Sequence, residues 1–309
     1  MIIVKFCGGL GNQMYQLAML VAMREEYSNQ SFKADISHYS LFEEHNGFEL
    51  ESCFGIKLNY ASIQEVRKVY VGLTPSKSYL YLPREIRDFI VHKFQWKYNA
   101  IMEKVRPDVA KKTVTEANYL NKKKLMDSGD WYINGMWQDT KYFGKYQNEI
   151  VKEFNVNPLL EQEDKMIVRD LSDGDAIAVH VRGGDFLKIR GFNLCGKEYY
   201  SKALMQIGVQ KPLYIFTDDP SYAKEIFVEN RIAGIVTHGI KDSIKDMYMM
   251  SKAKYLVVSN STFSFWSAFL NTSSNKIVCP KYATKNKNGY TAMCVCENWG
   301  IVDNSVSTK

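Results

Sequence analysis

The chain has 309 residues, of which 46% are hydrophobic and 24% charged. This is the composition of a globular protein long enough for two domains. Its net charge of +6 suits an anionic ligand or a loose membrane-surface contact and is too diffuse to argue for nucleic acid. The apolar stretch Leu17–Met23 is broken at once by Arg24-Glu25-Glu26, too short to span a bilayer. The first residues do not read as a signal peptide. Cys7, Cys53, Cys195 and Cys279 are scattered as reduced core thiols would be, and Cys294 and Cys296 form a C-x-C without usual zinc or redox spacing. These features set a cytoplasmic expectation, with Lys-rich stretches such as Lys122–Lys124 suited to a peripheral contact at the inner membrane face.

In chain order, Ile2–Phe6 reads as a strand, Cys7 to Asn12 as a glycine-rich turn and Gln13–Tyr27 as a helix. A second strand is expected at Phe32–Ile36, with Asp35 near its end. The pattern approaches a dinucleotide-binding fingerprint, but the third glycine of that motif would fall at Met14. From Tyr39 to Phe154 the periodicity is mostly helical and rich in Lys and Tyr. Arg84–Lys124 interleaves basic residues with Phe89, Phe94, Trp96 and Tyr98, which fits a solvated helical face better than a binding surface. Gly135 to Phe143 is an aromatic cluster, suited to core packing or to stacking on a sugar.

Asn155–Pro158 reads as a linker, so domains are expected at 1–157 and 158–309. Beyond it, strands at 176–181, 213–217, 235–237, 255–259 and 276–279 alternate with helices at 197–207, 220–230, 243–253 and 263–270. That alternation predicts a parallel α/β sheet. The first strand places Ala178, His180 and Arg182 on one face and ends in Arg182-Gly183-Gly184-Asp185. Another ends in Thr217-Asp218-Asp219, and a later helix opens on Ser259-Asn260-Ser261-Thr262. Open α/β sheets bind ligands beyond the carboxyl ends of their strands. An arginine on a glycine turn facing a Ser/Thr-rich helix start suits a diphosphate. No P-loop lysine motif is present. Asp173-Gly174-Asp175 spells a metal-binding D-x-D, but it precedes its strand and so falls at the wrong end of the sheet.

Five segments then share one resemblance. His180-Val181-Arg182-Gly183-Gly184-Asp185 is similar to the H-x-R-[RG]-x-D motif of the α-1,2-fucosyltransferases of glycosyltransferase family 11. Gly8 to Gln13 resembles that family's G-G-x-G-N-Q opening, Gly135–Phe143 its G-x-W-Q-x-x-K-Y-F segment, and Phe216 to Asp219 its F-[ST]-D-D. Asp246–Ser251 followed by Ser259–Trp266 resembles its last block, so the matches run in order over nearly the whole chain.

The resemblance implies a GT-B-like fold of two domains, the second a Rossmann-like donor domain. It implies transfer of L-fucose from GDP-β-L-fucose to the 2-hydroxyl of a galactose-terminated oligosaccharide, with inversion and with neither metal nor cofactor. Carried over, Arg182 binds the diphosphate, Asp246 reads the guanine edge, and Ser261 and Thr262 contact phosphate beside Asn260 and Asp218. Asn12, on the turn that holds Gly9 and Gly11, is expected near the diphosphate or reacting sugar. His180 joins the catalytic set. Asp185 is either the general base or a structural acceptor. The sequence departs from the family where Gly183 replaces a second arginine and where Arg190 stands at a glutamate position of some relatives. Rival readings are a transferase using another nucleotide sugar, a nicotinamide oxidoreductase and a non-catalytic carbohydrate-binding module.

Overall fold

The computed structural model describes residues 1–41, 46–75, 84–154, 158–184, 194–228, 231–286 and 289–305. The chain divides into two compact units, Met1–Phe154 and Asn155–Lys309. Asp185 and Arg190 lie outside the described residues.

The first unit is built on a parallel four-stranded sheet. Its strands are β1 (Ile2–Lys5), β2 (Phe32–Asp35), β3 (Thr113–Val114) and β4 (Trp131–Ile133), in the order β2-β1-β4-β3. The helical reading of 39–154 therefore missed β4, a three-residue strand that pairs directly with β1. Three residues are too few for a period-2 pattern to emerge, and partners 129 positions away are invisible to local reading. Alternation along β1 sends Ile3 toward Val66 and Val69 of α2 (Ile63–Val69) and toward Tyr132. Tyr132 stacks on Tyr70 with ring centroids 4.2 Å apart. After β1, α1 (Leu10–Glu26) begins on Gly9. A longer helix, α3 (Arg84–Val105), also belongs to this unit.

The glycine-rich turn after β1 is fastened from within α1. Gln13, fully buried, donates to the carbonyls of Gly8 and Gly47 and accepts from the Glu49 amide. Gln16 accepts from the Cys7 amide and donates back to its carbonyl. Gly8 has φ of 77°, and a Cβ there would lie 2.6 Å from Asn12 Nδ2. A side chain at this position is thus excluded twice, by conformation and by space.

The aromatic cluster is core. Trp137 and Phe143 are fully buried, and Tyr142 meets Trp137 edge-on with centroids 5.1 Å apart. Trp137 carries a left-handed φ of 58°, a conformation that needs support in a bulky residue. Glu116 supplies it: its Oε1 accepts from the amides of Met136 and Trp137 at 2.7 and 2.9 Å. A Cβ on Gly135 would sit 2.5 Å from the same carboxylate, which accounts for the glycine.

The second unit is a parallel six-stranded sheet flanked by helices. Its strands are β5 (Ile177–Val181), β6 (Leu213–Thr217), β7 (Ile232–Val236), β8 (Tyr255–Val257), β9 (Lys276–Pro280) and, after a β10–β11 hairpin (Tyr282–Asn286 and Gly289–Ala292), β12 (Gly300–Val302). The spatial order is β12-β9-β8-β5-β6-β7. The connecting helices are α4 (Gln162–Asp173), α5 (Lys197–Ile207), α6 (Pro220–Ile226), α7 (Gly239–Ser251) and α8 (Thr262–Phe269). Ile177, Val179 and Val181 pack with Tyr199, Tyr200 and Ala203 of α5. His180, on the alternate face, lies 5.7 Å from the Phe263 ring of α8. The sequence pattern missed the hairpin and β12, both of which belong to the chain's last, polar stretch.

Removing the Glu116 carboxylate should destabilise the first unit by about 1–3 kcal/mol, since two amides lose their acceptor beside a strained residue. Denaturant unfolding of Glu116→Ala checks this, and Glu116→Gln, which keeps an acceptor oxygen, should recover most of the loss.

Candidate active site

The strand order of the second unit reverses between β5 and β8. The chain moves outward from β5 to β6 and β7, then returns to the other side of β5 to build β8 and β9. At such a switch point the adjacent loops turn opposite ways and leave a crevice beyond the carboxyl ends. Two tyrosines from neighbouring positions on α5 brace it. Tyr200 donates to the carbonyl of His180 on β5, and Tyr199 to that of Val258 just after β8. The sequence offered no signal for this pair beyond two aromatics on a helix.

Around the crevice, Arg182, Gly183 and Gly184 meet the end of β6. Arg182 Nη1 lies 2.8 Å from Asp218 Oδ2, and the other oxygen of Asp218 accepts from the Gly183 amide at 2.8 Å. Asp218 therefore orients the arginine and its turn together. The Asp219 carboxylate caps α6 by accepting from the Tyr222 amide and also accepts from the Gly184 amide. A Cβ at Gly183 would approach Asp219 Cβ to 2.6 Å, and Gly184 has φ of 48°. Gly183 is thus required by the close approach of Asp219. This explains locally why a second arginine is missing.

His180 is buried, and its Nδ1 lies 2.8 Å from Ser259 Oγ. Burial, aided by the Arg182 charge, depresses its pKa to about 3, so the ring stays neutral at physiological pH. Ser261 is the N-cap of α8 and accepts from the Phe263 amide, with Thr262 half-buried at the first helical position. Asn260 is buried and donates to the carbonyl of Ala283 in β10, tying the missed hairpin to the crevice. A guanidinium and a helix N-terminus together favour an oxyanion, whereas the amides of Gly183 and Gly184 are taken up by Asp218 and Asp219.

Asp246 makes a different set of contacts. It is buried on α7, and its Oδ1 lies 2.5 Å from Nδ1 of His238. The other ring nitrogen of His238 lies 3.1 Å from Asp164, which caps the start of α4. Burial alone would lower the His238 pKa, but the hydrogen bonds and charges of Asp246 and Asp164 outweigh it and raise it. Burial raises Asp246 in turn, against the pull of His238. Sequence reasoning did not single out His238, because its partners lie 8 and 74 residues away.

In the first unit, Asn12 Oδ1 accepts from Gln138 Nε2 at 2.7 Å, joining the glycine turn to the segment after β4. Gly9 caps α1 and Gly11 lies in its first turn. Asp35 is not arranged for a ribose. Its carboxylate accepts from the Ser37 amide and the Tyr132 hydroxyl, and it is buried. Asp173 and Asp175 flank Gly174, the left-handed C-cap of α4 at the amino end of β5, and Asp175 pairs with Lys211. That turn lies at the opposite end of the strand from the crevice.

Fold and site together define a doubly wound α/β protein whose switch-point crevice suits an anionic ligand. The chain belongs to glycosyl transferase family 11, whose model matches residues 56–299. Among curated relatives, it is 28% identical to an alpha-1,2-colitosyltransferase of Escherichia coli over 87% of each chain. It is 27% identical to the Escherichia coli O-antigen biosynthesis glycosyltransferase WbnK, covering 92% of this chain and 96% of that one. Among solved structures, it is similar to NodZ, an alpha-1,6-fucosyltransferase of Bradyrhizobium soaked with GDP-fucose. There the TM-score is 0.44 at 14% identity, over 89% of this chain and 93% of NodZ.

Two outcomes follow from this geometry. Gly183→Arg should add no nucleotide affinity and should destabilise by about 1–3 kcal/mol, because the new Cβ drives into a capping aspartate. Calorimetry with GDP and denaturant unfolding read the two effects separately. The folded-state pKa of His238 lies above its ordinary 6.5. Its contribution to stability is therefore full below that value and is lost as pH rises through the raised one. Thermal unfolding across neutral to alkaline pH should show this decline, and His238→Gln should flatten it.

Proposed function

We propose that the chain transfers L-fucose from GDP-β-L-fucose to the 2-hydroxyl of a terminal galactoside, inverting the anomeric carbon and using no metal. The observation that carries this reading is Arg182, oriented by Asp218 beside a glycine turn at the switch point of a family 11 chain. The acceptor oxygen forms its bond to the anomeric carbon as the bond to the diphosphate oxygen breaks. The bonding electron pair departs with GDP, and the hydroxyl proton passes to a base. Charge then builds on the diphosphate, where Arg182 and the α8 N-terminus at Ser261 and Thr262 stabilise it. Asp185 is the proposed base and lies outside the described residues. Asp218 acts through Arg182, and neutral His180 holds Ser259 in place. Asp246 is proposed to accept from the guanine edge, and Asn12 with the Gly9–Gly11 turn to contact substrate.

The absence of a metal is proposed because the D-x-D turn caps a helix at the amino end of β5. Among the described residues no helix is long and apolar enough to cross a membrane. The proposed setting is the cytoplasm, with peripheral contact at the inner membrane face. A second reading keeps the same site and changes the sugar, and the 28% identity to a colitosyltransferase supports it.

Incubation with GDP-fucose and a panel of β-galactosides, with mass spectrometry of products, tests the reaction. Competition by GDP against UDP tests the nucleotide. Arg182→Ala should lower kcat by about 10²–10³ with a smaller effect on donor affinity. Arg182→Lys, which keeps charge but not the bidentate fork, should recover only part. A donor-affinity loss as large as the rate loss would assign Arg182 to ground-state binding.

A further inference from the structure

We infer that the outer face of α3 docks the protein on an anionic lipid bilayer. In a water-soluble unit, large apolar side chains along one helix are expected to turn inward. Here Trp96 is 65% exposed, Ile101 60%, Val105 66% and Phe89 55%, with Ile86 and Phe94 also exposed. Ile86, Phe89, Lys93, Trp96, Lys97 and Lys104 follow one another at helical spacing along a single stripe, and Phe94, Ile101 and Val105 flank it. The opposite side of α3 turns inward, where Gln95, Asn99 and Met102 are half-buried and Asn99 lines a cavity of about 460 Å³ with Thr113 and Asn134. The apolar residues thus stand on a face directed away from their own unit.

Charge selects the occupant. Residues 84–112 hold eight Lys and Arg against four Asp and Glu, a large part of the chain's net positive charge. Lys93 lies over the Phe89 ring at 4.9 Å and Lys97 over Trp96 at 5.5 Å. Aromatic rings with adjacent ammonium groups match the headgroup region, where the ring meets the acyl boundary and the cation meets lipid phosphate. A second copy of the chain fits less well. A two-fold contact centred on this stripe would bring Lys93, Lys97 and Lys104 toward their own symmetry mates. The Lys122–Lys124 run is less suited than its sequence suggests. Lys122 donates to the carbonyls of Lys111 and Thr113, and Lys123 pairs with Glu26 at 2.8 Å.

This deepens the peripheral contact proposed above and rests on that reading for its purpose, whereas its test does not pass through sugar transfer. The intact protein is sedimented with vesicles of phosphatidylglycerol and phosphatidylethanolamine, and separately with phosphatidylcholine alone. Binding is expected to the anionic vesicles, weakening with salt. Lys93→Glu with Lys97→Glu should reduce it by roughly tenfold or more, given the usual contribution of each basic residue near an anionic surface. Trp96→Ser with Ile101→Ser should reduce it comparably by removing the apolar anchors. All four positions are exposed or on the exposed stripe, and circular dichroism confirms that each variant is folded. No binding to anionic vesicles, equal binding to phosphatidylcholine, or binding indifferent to both double variants would overturn the proposal. So would a concentration-dependent dimer, seen by light scattering and abolished by Trp96→Ser with Ile101→Ser. Transfer to a water-soluble galactoside, measured in parallel, reports on the sugar chemistry independently.

Discussion

The second unit's crevice depends on one carboxylate. Asp218 holds the guanidinium of Arg182 with one oxygen and the Gly183 amide with the other. A bidentate acceptor used this way fixes both the side chain and the turn from which it springs. It also leaves Arg182 half-buried beside a negative group, so its charge is directed rather than simply present. The neighbouring Asp219 completes the arrangement by capping α6 while packing against the glycine turn. Two consecutive aspartates just after β6 thereby shape a loop that belongs to β5. The local order this brings fits the stabilising role proposed for Arg182.

Much of this unit was legible because buried parallel strands and their crossover helices announce themselves locally. Ile177–Val181 reads as a strand from branched residues alone, and its polar exit reads as a ligand edge. The strand order does not, since nothing in the residues says that β8 returns to the far side of β5. The same limit hid His238, whose meaning comes from Asp164 and Asp246 converging in space. In the first unit the limit was length. Trp131 to Ile133 is too short to carry a period, yet β1 needs it as a neighbour.

The motif-like segments divide into two kinds once placed in the structure. Gln13 and the aromatics of the Gly135–Phe143 segment are structural: the glutamine fastens a turn, and the aromatics fill a core around a backbone held by Glu116. Asn12, in the first turn of α1, and Gln138, after β4, instead pair as side-chain amides. A family pattern thus sets residues that fix the fold beside residues for which a contact with substrate is proposed. Burial together with partner assignment separates them, as sequence spacing does not.

The return of the chain to β5 also bears on how the protein folds. Ala178 pairs with Leu256, and in the first unit Ile2 pairs with Trp131. Each central strand therefore waits for a partner made much later in synthesis, and loop closure over such separations is slow. The first unit can complete its sheet once residue 133 has emerged, before most of the second unit exists. The second unit flanks β5 on both sides only after β8 docks, so its switch point is a late event in its assembly. Until then β5 presents an unpaired apolar edge, the feature most prone to wrong association during folding.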